Sequence, residues 1–259
     1  MNGVCLTVAY DGTNFAGWAA QRDQRTVEDT VRGAILAVDP KGSIPRGASR
    51  TDSGVHAEGQ LAAFDASSEM PPRGWVLTLN RHLPDDVSIR AARVVPAGFN
   101  PRFASRKKRY SYTLLLDKVR DPLQAPRSWR IGWELDLDRL RHEATAIEGF
   151  HDFAAFRSAG DAREETRRTI HAVTVETLTD DPRLLRITVE GNAFLYNMVR
   201  ILVGTLVDVA RGNLKPGAIT RALTSKDRGH AGQTAPAHGL VLRAMECDWP
   251  TNTGDSWPL

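Results

Sequence analysis

The order of strand-type and helix-type segments is the feature that most constrains the fold of this chain. Val4–Tyr10 is rich in β-branched residues and breaks at Asp11-Gly12, a pattern that predicts a first strand. Thr26, with Asp29 three residues later and apolar residues on one helical face, predicts a helix N-terminus. The remaining predicted elements of the first half are, in chain order, strands near Ser43–Ser49 and Gln60–Asp65, a helix near Pro72–Arg81 and a strand near Val87–Val95.

The second half repeats this order more loosely. Its predicted elements are a strand over Tyr110–Leu116, a helix over Leu137–Ile147, strands over Ile170–Leu178 and Leu184–Glu190, a long helix over Phe194–Ala210, a short helix after Pro216 and a strand over Leu240–Cys247. We therefore predict an α+β fold with two ferredoxin-like βαββαβ halves, joined into one broad, mostly antiparallel sheet flanked by helices. The predicted domains are 1–104 and 105–259, and the tail after Trp249 is expected to be loose.

Composition limits the class and the compartment of the protein. Of the 259 residues, 41% are hydrophobic and 25% are charged, which is enough apolar material for a core and excludes a wholly disordered chain. The longest apolar stretch, Phe194–Val209, contains Asn197, Arg200 and Asp208, so we expect no membrane span. No secretory signal is visible and there are only two cysteines, so the cytoplasm is the predicted location.

Charge is segregated along the chain although its net value is only +3. Residues 101–130 carry nine basic and two acidic side chains, and residues 131–156 carry six acidic and two basic ones. Of the 34 basic residues in the chain, all but the six lysines are arginines, which bind phosphate and stack on bases. Biased codon usage explains the arginine count equally well, but the placement favours a surface that faces a polyanion.

Cofactor and metal motifs are absent from the sequence. The seven histidines show no metal-ligand spacing, and no glycine-rich phosphate-binding loop occurs. We therefore predict no metal and no cofactor.

Two charged residues are candidates for chemistry. Asp52 lies in a predicted tight turn among small residues, where it either hydrogen-bonds its own turn or presents a carboxylate to a substrate. An attacking carboxylate must stay ionised, so it needs a fixed cation nearby. Arg200 lies in an otherwise apolar helix, where it either pairs with Asp208 or finds a partner elsewhere in the fold.

Several ordered blocks resemble the tRNA pseudouridine synthase A family. The most specific block is its catalytic motif, which corresponds to Arg50-Thr51-Asp52-Ser53-Gly54-Val55-His56-Ala57. The other similar blocks are Tyr10-Asp11-Gly12-Thr13, Phe15, Gly17-Trp18, Arg109-Tyr110-Ser111-Tyr112, Asp152-Phe153, Phe156-Arg157, Thr166-Arg167-Arg168, Gly191-Asn192-Ala193-Phe194-Leu195, Met198-Val199-Arg200, Val203-Gly204, Asp227-Arg228, Ala231-Gly232, Thr234-Ala235-Pro236-Ala237 and Gly239-Leu240. Three positions depart from the family pattern. Ala19 replaces a usual Gln, Ser49 a usual Gly and Ser53 a usual Ala.

The resemblance implies an enzyme that isomerises uridine to pseudouridine at positions 38, 39 and 40, in the anticodon stem-loop of tRNA, without cofactor or metal. It implies that Asp52 is the catalytic nucleophile or base and that Arg200 pairs with it. Tyr110 then stacks on the target uracil and Leu240 packs beside it, while Arg50 fills the space left by the flipped nucleotide. The family also implies a homodimer.

Two other functions compete with this interpretation. A non-catalytic ferredoxin-like RNA-binding module needs paired exposed aromatic residues on two strands, and here Tyr110 and Tyr112 share one strand. A hydrolase acting at a glycosidic carbon needs two carboxylates, and Glu58 is the nearest acid to Asp52 in the sequence.

Overall fold

A computed structural model describes residues 2–161 and 163–258, and their contacts divide the chain into two units. The first unit runs to Arg106 and resumes at Leu242, and the second is Lys107–Val241. The predicted boundary at 104/105 lies close to the first of these transitions. The predicted second domain differs in its C-terminal part, because the residues from Leu242 onward pack within the first unit.

The first unit has the predicted order of strands and helices. Its elements are β1 (Asn2–Tyr10), α1 (Val27–Val38), β2 (Arg46–Gly47), β3 (His56–Ala66), α2 (Pro72–Asn80), β4 (Val87–Val95) and α3 (Pro101–Ala104), followed after the second unit by the end of β10 (Leu240–Cys247) and by β11 (Ser256–Trp257). The strands β11, β4, β1 and β3 lie side by side in that order, and each pair is antiparallel. The short strand β2 pairs with β3.

The core of the first unit lies between this sheet and the helices. In the second half of β1, Leu6 and Val8 are fully buried whereas Thr7 between them is only partly buried, as the two-residue period of a strand predicts. Trp75 of α2 meets Phe64 of β3 edge to face, with ring centroids 5.3 Å apart. Thr26 caps α1 as predicted, since its side chain accepts a hydrogen bond from the Asp29 amide.

The second unit is also a mixed α and β structure. Its elements are most of β5 (Ser105–Leu116), β6 (Trp129–Ile131), α4 (Leu137–Thr145), β7 (Gly149–Asp152), β8 (Arg167–Thr177), β9 (Leu184–Gly191), α5 (Met198–Ala210), α6 (Ala218–Ser225) and the start of β10. The strands β5, β9, β8 and β7 pair antiparallel in that order, and β6 pairs parallel with β5. The predicted α+β class with a mostly antiparallel sheet is confirmed.

The structure corrects three local predictions. The long helix begins at Met198 rather than Phe194, because Asn197 has a positive φ of 60° that a helix cannot continue through. The strand predicted over Ser43–Ser49 is reduced to the two residues of β2. The tail after Trp249 is partly ordered: Ser256 and Trp257 pair with β4, and the Val94 amide donates to the Asp255 carbonyl over 2.9 Å.

The described residues contain neither a helix that could span a membrane nor a cluster that could hold a metal ion. No helix in residues 2–161 and 163–258 is long and apolar enough to cross a membrane. Within the same ranges, no cluster of three or more His, Cys, Asp or Glu side chains is arranged to hold a metal ion.

Candidate functional site

Asp52 lies in a tight loop between β2 and β3, formed by residues 48–55 and called here the Asp52 loop. The Asp52 carbonyl accepts a hydrogen bond from the Val55 amide over 3.1 Å, and Gly54 has a positive φ of 77° that closes the turn. Asp52 is half-buried and Arg50 is exposed. A backbone hydrogen bond therefore closes the turn.

The last residue of β1 and the chain segment after it bind the Asp52 loop at Thr51. The Tyr10 hydroxyl lies 2.7 Å from the Thr51 hydroxyl, and both residues are buried. The Trp18 amide donates to the Thr51 carbonyl over 3.1 Å. The residue next to Asp52 is thus held through both its side chain and its backbone.

A second contact holds the far side of the Asp52 loop. The Phe15 carbonyl accepts hydrogen bonds from the Ser53 hydroxyl over 3.2 Å and from the Gly54 amide over 3.3 Å. Ser53, which departs from the family pattern, thus makes a polar contact that an Ala side chain cannot make. Asp52 is therefore flanked by held residues on both sides.

Two glycines of the same segment allow this close approach. A Cβ added to Gly12 would lie 2.0 Å from the Val55 carbonyl oxygen. At Gly17, which has a φ of 106°, an added Cβ would lie 2.6 Å from the Thr51 carbonyl oxygen. The glycines after β1 are needed because backbone meets backbone there.

His56 begins β3 immediately after the Asp52 loop and is buried. Its Nδ1 accepts a hydrogen bond from the Gly12 amide over 3.0 Å and lies 3.2 Å from a carboxylate oxygen of Asp11. His56 thus ties the start of β3 to the same segment.

Ser49 is bound by the buried amide of Gln60, which lies on β3. Oε1 of Gln60 accepts from the Ser49 amide over 3.1 Å, and its Nε2 donates to the Ser49 carbonyl over 2.5 Å. Ser49 does not have a positive φ, so its replacement of the usual Gly causes no backbone strain of that kind. Sequence reasoning missed Gln60 because its partner is backbone, which no side-chain pattern reveals.

Arg200, in the second unit, is held near the start of α5. Its Nε donates to the Ala235 carbonyl over 2.8 Å, and its Nη1 donates to Oδ1 of Asn197 over 2.6 Å. The side chain is half-buried. Asn197 therefore both starts the helix with its left-handed backbone and orients the guanidinium.

Asp208, the alternative partner considered for Arg200, lies against the segment that precedes β10. It accepts hydrogen bonds from the Gln233 amide over 3.1 Å and from the Asn213 side chain over 3.2 Å. A Cβ added to Gly204 would lie only 1.8 Å from the Gln233 carbonyl oxygen. The segment before β10 thus packs directly on the backbone of α5.

Tyr110 and Leu240 of the second unit are both buried. The Tyr110 ring meets Phe194 edge to face, with centroids 5.1 Å apart. Tyr112, two residues further along β5, donates its hydroxyl proton to the Pro236 carbonyl over 2.7 Å, and burial raises the pKa of its phenol well above the usual range. Neither tyrosine is exposed as the stacking platform that the RNA-binding module requires.

Of the five residues predicted for the site, Asp52 and Arg50 belong to the first unit, and Tyr110, Arg200 and Leu240 belong to the second. Within the first unit the structure surrounds the Asp52 loop with the segment after β1. Within the second it surrounds Arg200 with the segment before β10. In each unit, two sequence blocks that lie far apart in the chain are thereby brought together.

The basic stretch at 101–130 is partly neutralised within the second unit. The two acids of the stretch are themselves paired with a cation from outside it, since Arg183 lies 3.0 Å from a carboxylate oxygen of Asp117 and 3.0 Å from one of Asp121. Lys107 lies 3.3 Å from Glu190. The excess of positive charge predicted from the sequence is therefore reduced by residues outside the stretch, such as Glu190.

Comparisons with known proteins agree with these motifs. A family model described as tRNA pseudouridine synthase matches residues 6–104 and 144–250. A protein of Geobacter sulfurreducens named tRNA pseudouridine synthase A is 41% identical over 245 residues, which are 95% of this chain and 99% of that protein. Proteins of the same name from Acetivibrio thermocellus and Brevibacillus brevis are 39% and 40% identical over 93% and 91% of this chain, and 98% and 95% of their own lengths. A chain in a crystal structure of a Cbf5–Nop10–Gar1 complex is similar with a TM-score of 0.32 and 12% identity, over 79% of this chain and 54% of that one.

Proposed function

This chain belongs to the tRNA pseudouridine synthase family, and on that premise we propose which uridines it modifies and which residues do the chemistry. It is an isomerase that converts uridine to pseudouridine in tRNA. The target uridines are those at positions 38, 39 and 40, in the anticodon stem-loop, and the nucleophile is Asp52.

The proposed reaction begins with attack of an Asp52 carboxylate oxygen on C1′ of the uridine. The N1–C1′ bond breaks and its electron pair remains on the uracil ring, which then rotates. C5 forms a bond to C1′ and the carboxylate leaves. The C5 proton is lost and N1 gains a proton, so that product and substrate are isomers.

The observation that carries this assignment is the family match across the Asp52 loop together with the hydrogen bonds that hold that loop. Thr51 before Asp52 is bound by Tyr10 and Trp18, and Ser53 after it is bound by Phe15. A nucleophile gains rate from fixed orientation, because little entropy is then lost on reaching the reactive geometry. The held neighbours suit Asp52 to this role.

Three residues of the second unit have roles carried over from the family resemblance. We assign Arg200 the role of holding Asp52 ionised, since a neighbouring cation lowers the pKa of a carboxylate. Its guanidinium is already oriented by Asn197 and Ala235. We assign Tyr110 and Leu240 the uracil contacts, and because Tyr110 is buried, its ring must become more exposed when the nucleotide enters.

Arg50 is assigned the space left by the flipped nucleotide, a role that suits its exposure on the Asp52 loop. Flipping a nucleotide costs a few kcal/mol, roughly, and phosphate contacts from basic side chains offset that cost. Variants of Arg50 are therefore expected to weaken the binding of tRNA more than they slow the chemical step.

The test uses tRNA labelled with tritium at C5 of uridine. The wild-type protein should release label to water, and Asp52→Asn should reduce the rate on the order of 10⁴-fold. Glu58→Gln is the matched control, since Glu58 is an exposed acid in the same unit that pairs with Arg243. It should release label at the wild-type rate.

Three results would contradict the proposal in different ways. Tight binding of tRNA without release of label supports the RNA-binding module instead. Appearance of free uracil, with loss of the activity in Glu58→Gln, supports the two-carboxylate hydrolase. Normal release by Asp52→Asn removes Asp52 from the mechanism.

The assembly and compartment are further parts of the proposal. The family resemblance favours a homodimer, which sedimentation equilibrium of the purified protein tests directly. The cytoplasm is the proposed compartment because the proposed substrate, tRNA, is used there. A monomer at all concentrations, or a signal outside the cytoplasm when the tagged protein is imaged, contradicts these statements.

A further inference from the structure

The buried amide of Gln60 is the feature of the first unit that the proposed chemistry does not yet use. Its side chain points from β3 to Ser49 and is fully buried, at 0% exposure. Both of its polar atoms are used on one residue, since Oε1 accepts from the Ser49 amide and Nε2 donates to the Ser49 carbonyl. A side-chain amide that binds both backbone groups of one residue fixes the position and the direction of the chain there.

The side chain of Gln60 binds the chain just beyond the point where the pairing of β2 with β3 ends. Arg46 lies opposite Ala63 and Gly47 opposite Ala62, and the Ala48 amide then donates to the Leu61 carbonyl over 2.8 Å. The next residue, Ser49, bonds to the side chain of Gln60. The amide thus substitutes for the peptide group of a neighbouring strand and lets the chain leave the sheet without unpaired backbone groups.

The place where the chain leaves the sheet matters because Asp52 follows three residues later. We propose that Gln60 is a positioning residue that sets the location of the Asp52 carboxylate through Ser49. This inference rests on the proposed function, in which Asp52 is the nucleophile. It adds a third attachment to the two already described, so that the Asp52 loop is held at its start as well as on both sides of Asp52.

The geometry needs a side chain that donates and accepts at the same time. A Met side chain has nearly the volume of Gln but neither donor nor strong acceptor. An ionised Glu side chain accepts only, and it would face the Ser49 carbonyl oxygen with a second negative oxygen. A protonated Glu again offers one donor and one acceptor, so its effect depends on pH.

The experiment measures kcat and KM for tritium release from tRNA by Gln60→Met at pH 8. We expect kcat to fall about 10²-fold, as for a misplacement of a catalytic group by about 1 Å, while KM changes less than about twofold. Gln21→Met is the matched control, because Gln21 is exposed and its side chain donates from Nε2 to the Ala16 carbonyl, away from Ser49. Val76→Ala, in the buried face of α2, controls for loss of stability alone.

Gln60→Glu separates positioning from folding. Burial raises the pKa of a carboxyl group by up to about 3–5 units, so the introduced carboxyl should titrate between about pH 6 and pH 8 rather than near pH 4. This variant should therefore be slow at pH 8, where the carboxyl is ionised, and should recover toward the wild-type rate near pH 6, where it is protonated. Each rate is divided by that of wild type at the same pH. A residue needed only for stability would not give such a recovery in kcat with KM unchanged.

The outcomes distinguish this inference from the proposed function. If wild type releases label and Asp52→Asn does not, but Gln60→Met keeps the wild-type kcat, the positioning role is wrong and the proposed function stands. If Gln60→Met and Val76→Ala lose kcat equally at equal loss of stability, the positioning role is also wrong. Should Gln60→Met fail to fold, the pH dependence of Gln60→Glu decides, and a flat ratio to wild type overturns the inference.

Discussion

Replacing Gly12 by Ala is the most direct test of how tightly the first unit holds the Asp52 loop. The added Cβ would lie 2.0 Å from the Val55 carbonyl oxygen and 2.5 Å from its carbonyl carbon, whereas real Cβ contacts are essentially never shorter than 3.0 Å. Both neighbours are backbone atoms, so no side-chain rotation relieves the contact. The two segments must therefore separate by about 1 Å, which is the difference between the observed and the shortest tolerated distance.

The expected loss of rate follows from the hydrogen bond between Val55 and Asp52. The Val55 amide closes the turn at Asp52, so a shift of Val55 moves the carboxylate of Asp52 by a comparable distance. A displacement of about 1 Å at a reacting group costs about 10²-fold in rate, and an overpacked contact costs about 1–3 kcal/mol in the free energy of unfolding. We expect both losses in Gly12→Ala, measured by tritium release and by denaturant unfolding.

Gly33→Ala supplies the control for a glycine replaced in the same unit. Gly33 lies within α1, and an added Cβ there meets no atom within 4 Å. Alanine should raise the free energy of unfolding by about 1 kcal/mol and leave the rate unchanged. The reasoning is refuted if Gly12→Ala releases label at the wild-type rate, or if the two variants behave alike.

Three further predictions concern stability and are tested by denaturant unfolding. Thr26→Ala removes the N-cap of α1 and should lower the free energy of unfolding by about 1 kcal/mol; no change would show that the cap is dispensable. Tyr112→Phe leaves the Pro236 carbonyl without its donor and should cost about 1–3 kcal/mol, whereas a cost near zero would show that water replaces the phenol. Hydrogen bonds from Arg46 hold the pKa of Asp65 below its usual value, so this stabilisation is present above about pH 4 and is lost as pH falls toward the pKa of the folded state. Arg46→Met should therefore show a shallower loss of stability below about pH 4 than wild type, and parallel curves would contradict the assignment.

Much of the secondary structure was predictable because its causes are local. The cap at Thr26 and the strand Val87–Val95 occur where the sequence predicts them. Both depend on side chains within a few residues, through capping in one case and through closely spaced apolar residues such as Val87 and Ile89 in the other. The predicted start of α5 was wrong because Asn197, in a left-handed conformation, interrupts an apolar pattern that predicts one continuous helix.

Elements that depend on distant partners were less predictable. β11 has two residues, and its pairing with β4 joins segments more than 150 residues apart. The three-residue strand β6 likewise exists through its parallel pairing with β5. Such short segments carry too few side chains for a period to be recognised, so their structure is decided by the neighbour.

The candidate residues follow the same division. Asp52 and Arg200 are candidates that the sequence alone supplies, as charged residues in unusual settings and as members of ordered motifs. The contacts that hold them, such as those of Thr51 with Tyr10 and of Arg200 with Ala235, could not be predicted. Neither contact has a sequence signal, because the spacing between partners in the chain is set by the lengths of intervening elements.

By itself the amino-acid sequence determined the family, the α+β class and the identity of the charged side chains available for chemistry, because these depend on residue type and on order along the chain. The tertiary structure decided how the Asp52 loop is held. It placed the glycines after β1 against the backbone of that loop, and it aimed the buried amide of Gln60 at Ser49. The physical reason is that a buried backbone group must find a partner, and only the folded chain determines which group is close enough to serve.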